Sequence, residues 1–291
     1  MRSGSDEPSA FLTLRWRHHT LRVGPLPKEV HEALPALLGV EATTAAHGET
    51  AQLLPVAQDA EGRPVLEDGA PLAPADLIAR LACIVWFQLV DETDGIVVHA
   101  AAVGRQGVAT LLLGPGRVGK SSLAYAAWRA GLEVLGDDRL LLDPAKGTVE
   151  ALPRPLSLRE RDGAFPPSLA ELPEGACSIG SAFGERRATL SRSLPGMTRT
   201  GEAFAVDRLV LLERMDESGV AVAEVRREEI LQGAVEALVG NERRPLQVLR
   251  PLLKLGERRR ACRLRVGPGA TEEAVALLFG RGHDRSGRGG I

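Results

Sequence analysis

Aromatic residues and net charge are both scarce in this 291-residue chain, and each scarcity excludes a class of partner. Aromatic residues make up 3% of the chain, which disfavours a surface that binds nucleic acid by stacking on its bases. The formal net charge is -2, so no overall positive field attracts nucleic acid or an anionic membrane. We therefore predict no nucleic-acid partner and no membrane partner.

Cysteines and long apolar runs are scarce as well. Cys83, Cys177 and Cys262 lie far apart and form no C-x-x-C pair, so they indicate neither a zinc site nor a disulfide framework. The longest apolar run, 81–90, is too short to span a bilayer. The first ten residues lack the apolar segment of a signal peptide. We expect a cytoplasmic protein.

A glycine-rich stretch, GPGRVGKSS, occupies residues 114–122 and fits the pattern G-x-x-x-x-G-K-[ST]. Glycines let the backbone curl so that successive N–H groups surround phosphate oxygens, and the N-terminus of a following helix adds partial positive charge. In this pattern the lysine reaches the β- and γ-phosphates and the next hydroxyl ligates Mg²⁺. The predicted phosphate loop consists of Gly114, Pro115, Gly116, Arg117, Val118, Gly119, Lys120, Ser121 and Ser122.

The flanks of this stretch decide between a phosphate loop and a plain strand–turn–helix connection in a glycine-rich chain. Before it lies VATLLL (108–113), an apolar run typical of a strand. After it lies SSLAYAAWRAG (121–131), which is compatible with a helix and is closed by Gly131. The chain has only four lysines, so a lysine rarely falls at such a position by chance. The flanks favour the phosphate loop.

The first third of the chain indicates a small α+β region. Residues 11–23 alternate apolar and polar as in two hairpin strands, 28–38 and 75–90 indicate helices, and 41–70 indicate strands with loops. Further along, strands and helices alternate, which is typical of a sheet covered by helices. We predict an α/β fold in three parts: a small N-terminal region (1–92), a P-loop core (93–280) and a disordered tail (281–291).

The second half of the core contains one stretch without periodicity. Residues 175–204 are rich in Gly, Ser, Thr and Arg, and we predict a mobile loop there. This loop is either simply solvated or acts as a lid or a dock for an acidic partner, through Arg186, Arg187, Arg192 and Arg199. The remaining patterns predict strands at 206–214, 219–225 and 261–266, and helices at 227–239 and 271–279, the last with Thr271 as its N-cap.

Two adjacent carboxylates are expected beside the phosphate loop. The short strand 132–135 is predicted to return beside strand 108–113 and parallel to it, because αβ connections favour that arrangement. Its carboxyl end carries Asp137 and Asp138, and ligand sites form at the carboxyl ends of such strands. The alternative is a polar turn between two strands.

A histidine is expected at the same place. If 104–107 (GRQG) forms the turn between two strands, His99 lies opposite Leu112, close to the phosphate loop. There it could contact the γ-phosphate or hold an aspartate, and the alternative is an ordinary strand histidine. Lys120, Asp137, Asp138 and His99 together suit phosphoryl transfer, in which one carboxylate faces Mg²⁺ or its waters and the other faces the incoming hydroxyl.

The segment VVHAAAV…LLLGPGRVGKSSLAYAAWRAGLEVLGDDRLLL resembles the catalytic core of the HPr kinase/phosphorylase family and its stand-alone relatives, among them kinases that phosphorylate a serine of lasso-peptide precursors. Its loop and paired aspartates also resemble those of ATP-dependent phosphoenolpyruvate carboxykinase. The resemblance is clearest over 99–142. It implies a fold of that type, ATP and Mg²⁺ as cofactors, and transfer of the γ-phosphate to a serine hydroxyl.

The resemblance also assigns roles to the residues that match the family's motifs: Lys120 as the phosphate-binding lysine, Ser121 and Asp137 as Mg²⁺ ligands, Asp138 as the base and His99 as the strand histidine. The loop departs from the family at Gly116 and Arg117, where a small Ser/Gly pair is common, and no segment like PVRPGRN occurs. The predicted acceptor is a serine of a peptide or a small protein. An oligomer of identical chains is compatible with the resemblance.

Other nucleotide-binding classes fit less well. A Ras-like GTPase needs an N-K-x-D motif, but the only asparagine, Asn241, stands in NERR, and the L-S-G-G-Q signature of ABC ATPases is absent. A nucleotide sensor without phosphate transfer and a small-molecule kinase stay open as alternatives. Arg154 and Arg159 are further candidates for a clamp on phosphate or acceptor, with solvated loop positions as the alternative.

Overall fold

A computed structural model describes residues 10–17, 19–43, 52–65, 70–90, 96–143, 145–236 and 260–280. The predicted tail (281–291) and the end of the predicted helix 227–239 lie outside the described residues. The helices are α1 (Lys28–Leu38), α2 (Pro74–Val90), α3 (Lys120–Arg129), α4 (Arg227–Glu236) and α5 (Thr271–Phe279), with a 3₁₀ helix at Pro167–Glu171. No helix in these ranges has both the length and the apolar character needed to cross a membrane.

The strands, in chain order, are β1 (Ala10–Trp16), β2 (His19–Leu26), β3 (Glu41–Thr43), β4 (Gln52–Pro55), β5 (Ile96–Val98), β6 (Ala101–Arg105), β7 (Val108–Leu113), β8 (Glu133–Gly136), β9 (Leu140–Asp143), β10 (Thr148–Ala151), β11 (Leu156–Arg159), β12 (Cys177–Ala182), β13 (Glu185–Leu190), β14 (Ala203–Arg214), β15 (Val220–Glu224) and β16 (Arg260–Val266). Within the described residues they form three sheets. The chain is therefore a mixed α/β protein with several sheets.

The N-terminal sheet has the strand order β3-β1-β2-β4. β1 and β2 form the predicted antiparallel hairpin, and the predicted helix α1 packs its apolar face on this sheet: Val30 and Leu34 belong to the same buried cluster as Leu12 and Leu14. Leu141 of the central sheet joins this cluster, so the N-terminal region and the core share apolar contacts. The predicted boundary at residue 92 stays a prediction.

The central sheet has the strand order β5-β9-β10-β14-β7-β6-β8, with β16 beside β14 and β15 beside β16. β6 and β7 form the predicted antiparallel hairpin. The predicted pairing of β8 with β7 is wrong, because β6 lies between them and pairs antiparallel with both. The other side of β7 is taken by β14. β8 nevertheless runs parallel to β7, so both strands end at the same edge of the sheet.

Two very short connections join strands that are far apart in the order of the central sheet. Residues 99–100 link β5 to β6, and residues 137–139 link β8 to β9. A connection of two residues spans about 11 Å at most between the flanking Cα atoms. The sheet must therefore curl until the β5–β9 end approaches the β6–β8 end. Its inner face is apolar and holds Phe204, Leu111 and Leu135 in one buried cluster.

The third sheet has the strand order β11-β13-β12 and corrects the prediction of a mobile loop over 175–204. β12 and β13 form a hairpin closed by Phe183 and Gly184, both with positive φ, as a two-residue turn of this kind requires. The sequence showed no apolar alternation here because the buried residues of β12 are small. Gly180 is buried in close contact with the carbonyl group of Ala75. Small residues here admit the start of α2.

The outer face of the central sheet packs on α3 and α5 in a second large apolar cluster, which includes Leu123 and Val275. α3 ends just before Gly131, which has φ +82°, as predicted for its terminus. The prediction of Thr271 as an N-cap is wrong. Ala270 occupies that position without a side-chain hydrogen bond, and Thr271 is the first residue of α5.

Candidate active site

The phosphate loop joins the end of β7 to the start of α3, so the predicted strand–loop–helix context is present. Gly114 has φ +146°, and a β-carbon there would lie 2.7 Å from the carbonyl oxygen of Leu212. The loop therefore lies directly against β14, at a distance that only glycine permits. Gly119, with φ +113°, makes the turn into α3. Arg117 has φ +66°, a strained conformation for a residue with a side chain.

Lys120 holds its ammonium group over this loop. Its Nζ donates to the carbonyl oxygens of Gly114 at 2.7 Å and Pro115 at 2.9 Å. The side chain is buried, with 5% exposure. A single positive charge is thus fixed where the loop and the first turn of α3 meet, which is the position that suits the phosphates of a nucleotide.

Asp137 is buried beside the start of α3. Its Oδ2 accepts the backbone N–H of Ser157 at 3.2 Å, and its carboxylate accepts a hydrogen bond from the Ser121 side chain. Burial and the neighbouring charge of Asp138 raise the pKa of Asp137, against the opposing charge of Arg154. The predicted pair of Mg²⁺ ligands, Ser121 and Asp137, therefore lies within hydrogen-bond contact.

Asp138 is surrounded by positive groups. Its Oδ1 lies 3.0 Å from His99 Nε2 and 3.1 Å from Arg139 Nη1, and its Oδ2 lies 2.6 Å from Arg154 Nη2. Burial alone would raise the pKa of Asp138, but the hydrogen bond from His99 and the charges of Arg154 and Arg139 outweigh it and hold the pKa well below its usual range. Asp138 is therefore an ionised acceptor.

His99 reaches the site in a different register from the predicted one. Ala101, and not His99, pairs with Leu112, so the prediction was wrong by two residues. The cause is the turn: Gln106 and Gly107, both with positive φ, close the hairpin with two residues instead of four. His99 follows β5 at the sheet edge, where the connection 99–100 crosses beside the connection 137–139. This crossing brings the histidine to Asp138.

Sequence reasoning did not foresee that arginines surround the aspartates, and it missed Arg139 altogether. Arg154 and Arg139 both lie over the ring of Trp86, at 5.5 and 6.0 Å from its centroid. Arg154 was one of two candidate clamps, and the pattern LPRP gave no sign of its partner. Arg159, the other candidate, pairs with Glu185 at 3.1 Å and is half exposed.

The arginines of the predicted mobile loop divide into two groups. Arg186 pairs with Glu160, and Arg187 pairs with Glu185. Both stand on β13, so they are strand residues with carboxylate partners. Arg192 is buried and donates from Nη1 to the Arg154 carbonyl at 3.1 Å. The charge of Asp137 acts to raise the pKa of the Arg192 guanidinium, against the effect of burial. Arg192 therefore belongs to the surroundings of the aspartates.

The residues present fit a magnesium ion shared with phosphates. In the described ranges no three His, Cys, Asp or Glu side chains gather into a group that could hold a metal by themselves. Mg²⁺ typically takes one or two protein oxygens together with phosphate oxygens and waters. Asp137 and Ser121 offer two adjacent oxygens, and the buried Oγ of Ser157 beside them has no hydrogen-bond partner within the described ranges. This donor set suits a hard cation.

Comparisons with known proteins give little beyond this geometry. No protein-family model matches the sequence, and no curated protein matches it. Among solved structures, the Hpr(Ser) kinase/phosphatase from Coxiella burnetii is similar with a TM-score of 0.30 and 10% identity, over 62% of this chain and 92% of that chain. A likeness of this size carries no functional argument, so any assignment depends on the side chains of the site.

Proposed function

We propose that this protein is an ATP-dependent kinase that transfers the γ-phosphate of ATP to a serine hydroxyl of a peptide or small protein. One observation carries the proposal: a single edge of the central sheet brings together the phosphate loop with Lys120, the buried Asp137 beside Ser121, and the Asp138–His99 pair. Phosphoryl transfer needs a phosphate cradle, a metal site and a group that orients the acceptor. These three groups supply them.

The phosphate loop and Lys120 would bind the phosphates of ATP. Ser121 and Asp137 would hold Mg²⁺, which when bound neutralises charge on the transferring phosphoryl group. Ionisation of Asp137 is opposed by burial and by Asp138, so a cation here would favour its carboxylate form. This makes metal binding and the protonation of Asp137 mutually dependent.

Asp138 would orient the acceptor hydroxyl. A carboxylate has about four acceptor positions, and His99, Arg139 and Arg154 use three of them. One remains for the O–H of a serine. In the loose transition state of phosphoryl transfer, the bond between the attacking hydroxyl oxygen and phosphorus is only slightly formed. The orientation of the hydroxyl therefore matters more than the strength of the base. A low pKa of Asp138 is compatible with this role, since it keeps the Asp138 carboxylate ionised and able to accept the hydrogen bond of the serine hydroxyl.

The test offers ATP, Mg²⁺ and serine-bearing peptides encoded by neighbouring reading frames to the wild type and to Asp138→Asn, and measures intact mass. We expect a gain of about 80 Da on one peptide with the wild type, and transfer at least about a hundredfold slower with Asp138→Asn. Nucleotide affinity should persist in Asp138→Asn and fall in Lys120→Ala. Asp216→Asn, at an exposed position, is the matched control and should transfer normally.

Two other results would replace the proposal. If both proteins bind ATP tightly and leave it intact with every peptide, a nucleotide sensor becomes the better assignment and Asp138 is a structural residue. If ATP is consumed in the presence of a small alcohol but no peptide gains mass, and Asp138→Asn abolishes that turnover, the protein is a small-molecule kinase.

A further inference from the structure

A cavity of about 720 Å³ opens between the N-terminal sheet and the segment that follows β13. Its walls come from the end of β1 (15–17), the residues after α1 (39–41) and residues 192–200. Its lining includes no residue of the phosphate loop. A volume of this size is within the range of small-molecule sites, roughly 300–1,000 Å³.

The lining of the cavity is strongly basic. It contains Arg15, Arg17, Arg192 and Arg199 and one acidic residue, Glu41. Arg17 is paired with Glu150 and lies over the ring of Trp16, 4.8 Å from its centroid. Arg15 and Arg199 are exposed, and neither takes part in an ion pair within the described part of the chain. The cavity therefore offers excess positive charge to whatever enters it.

Arg192 is the most unusual of these arginines, because it is a buried cation whose hydrogen-bond partners among the described residues are neutral carbonyl groups. It is 4% exposed, and it donates to the carbonyl oxygens of Arg154 and Thr198. Its Nε is buried, and in the part of the chain that the structure describes it has no hydrogen-bond partner. Burial lowers the pKa of the Arg192 guanidinium to about 10, and the more distant charge of Asp137 opposes this only in part. Buried charges in proteins are normally paired.

We propose that this cavity binds a small oxyanion, a molecule that carries phosphate or carboxylate groups. Arg192 supplies a desolvated positive charge at its wall, and Arg15 and Arg199 supply exposed charges that an anion with several oxygens can reach together. Trp16 also lines the cavity, and its buried Nε1 has no hydrogen-bond partner among the described residues. This site is distinct from the phosphate loop and does not depend on the proposed kinase activity.

The cavity is linked to the paired aspartates by one residue. Arg192 donates to the backbone of Arg154, whose guanidinium holds Asp138, and Arg192 also acts on the charge of Asp137. Arg192 is therefore shared between the wall of the cavity and the surroundings of the aspartates, and binding of an anion to the cavity is the direct readout.

The experiment titrates pyrophosphate and, separately, citrate into the full chain by calorimetry, in a Lys120→Ala background that disables the phosphate loop. We expect at least one anion to bind, and Arg15→Gln with Arg199→Gln to weaken its binding by about tenfold or more, because two charge-assisted contacts are lost. Arg105→Gln with Arg161→Gln removes the same charge from exposed positions elsewhere and should leave the affinity within about twofold.

Three results would overturn the proposal. These are no binding of either anion after Lys120→Ala, equal weakening by both double variants, or no effect of the Arg15→Gln and Arg199→Gln pair. Circular dichroism confirms that each variant is folded. Pyrophosphate and citrate also separate the two sources of oxyanion, since preference for one identifies whether phosphate or carboxylate groups are recognised.

Discussion

Asp138 depends on its neighbours more than any other side chain of the site. Its carboxylate is the meeting point of His99, Arg139 and Arg154, and Arg154 is held in turn against Trp86. Arg154 is only 11% exposed, so water screens its contact with Asp138 weakly. Removing one member leaves the others buried and incompletely paired, which is costly in a protein interior.

Arg154→Gln should lower the free energy of unfolding by about 2–4 kcal/mol, because it breaks a buried charge contact and the contact with the Trp86 ring. Arg159→Gln is the matched control: its partner is also a carboxylate, but the arginine is 43% exposed, and such pairs contribute about 0.5 kcal/mol. Urea unfolding measures both values. Equal losses would contradict a special role for Arg154.

Acid should remove the contribution of Asp138 to stability. Its pKa in the folded protein lies below the ordinary value of about 3.9, so the contribution is fully present above that value and is lost as pH falls below it. The difference in unfolding free energy between the wild type and Asp138→Asn should shrink as the pH falls below about 4. Urea titrations at each pH measure it.

Asp216→Asn serves as the control for this pH series, because Asp216 is exposed beyond the end of β14. Its difference from the wild type should stay small at every pH. A difference for Asp138→Asn that grows as the pH falls would mean that the surrounding cations do not stabilise the carboxylate.

At the scale of elements, the phosphate loop is fixed by β14 as well as by its own sequence. Gly114→Ala should lower the unfolding free energy by about 2 kcal/mol or more and reduce nucleotide affinity, because the new methyl group meets the Leu212 carbonyl and φ is +146°. Gly116→Ala, where no atom lies within 4 Å of the added carbon, is the control and should change stability by about 0.5 kcal/mol at most.

Both measurements are needed for the glycine pair, by thermal unfolding and by titration with ATP. If Gly114→Ala lowers the affinity for ATP but leaves the unfolding free energy unchanged, the packing of the loop against β14 does not contribute to stability. Equal losses of ATP affinity in the two variants would show that an added methyl group at either glycine blocks the nucleotide, whatever its contact with β14.

The elements around the loop could be predicted because their signals are local. The strand 108–113, the helix after the loop and the hairpin at 11–23 each follow from spacing within a few residues. The order of the strands could not be predicted, because β6 and β14 pair with the two sides of β7 and no local pattern shows which strands take those places. The hairpin β12–β13 was taken for a loop because Gly180 and Ala182 leave no apolar alternation to detect.

The candidate site was only partly visible in the sequence for a related reason. Lys120, Asp137 and Asp138 lie within one strand–loop–helix–strand unit, so their proximity follows from geometry. The arginines that determine the pKa of Asp138 include Arg154, which enters from a separate connection, and its aromatic support, Trp86, comes from α2. Contacts between distant segments leave no periodic trace in a sequence.

At the scale of the whole molecule, α2 links the N-terminal region to the core. Gly180 of β12 lies so close to α2 that an added β-carbon would be 2.2 Å from the Ala75 carbonyl oxygen, and the Ser181 N–H donates to Asp76 at 2.6 Å. Gly180→Ala should therefore push α2 away and lower the unfolding free energy by about 1–3 kcal/mol.

Ser178→Ala, on the same strand and without a contact of this kind, is the control and should cost about 0.5 kcal/mol or less. Tryptophan fluorescence follows the unfolding, since Trp16 lies in β1, Trp86 in α2 and Trp128 in α3. A single transition is expected if the N-terminal region and the core unfold together. A stability unchanged by Gly180→Ala would mean that α2 can shift without cost.

The position of β14 has a consequence for synthesis of the chain. This strand pairs with β7 on one side and with β10 and β16 on the other, so partners from distant parts of the sequence meet on it. Pairings of this kind form slowly, because large loops must close first. A nascent chain exposes its phosphate loop long before the strand that supports the loop leaves the ribosome. Until residue 214 has emerged, the loop lacks the strand on which it packs, and a ligand of the loop would have no folded site to bind.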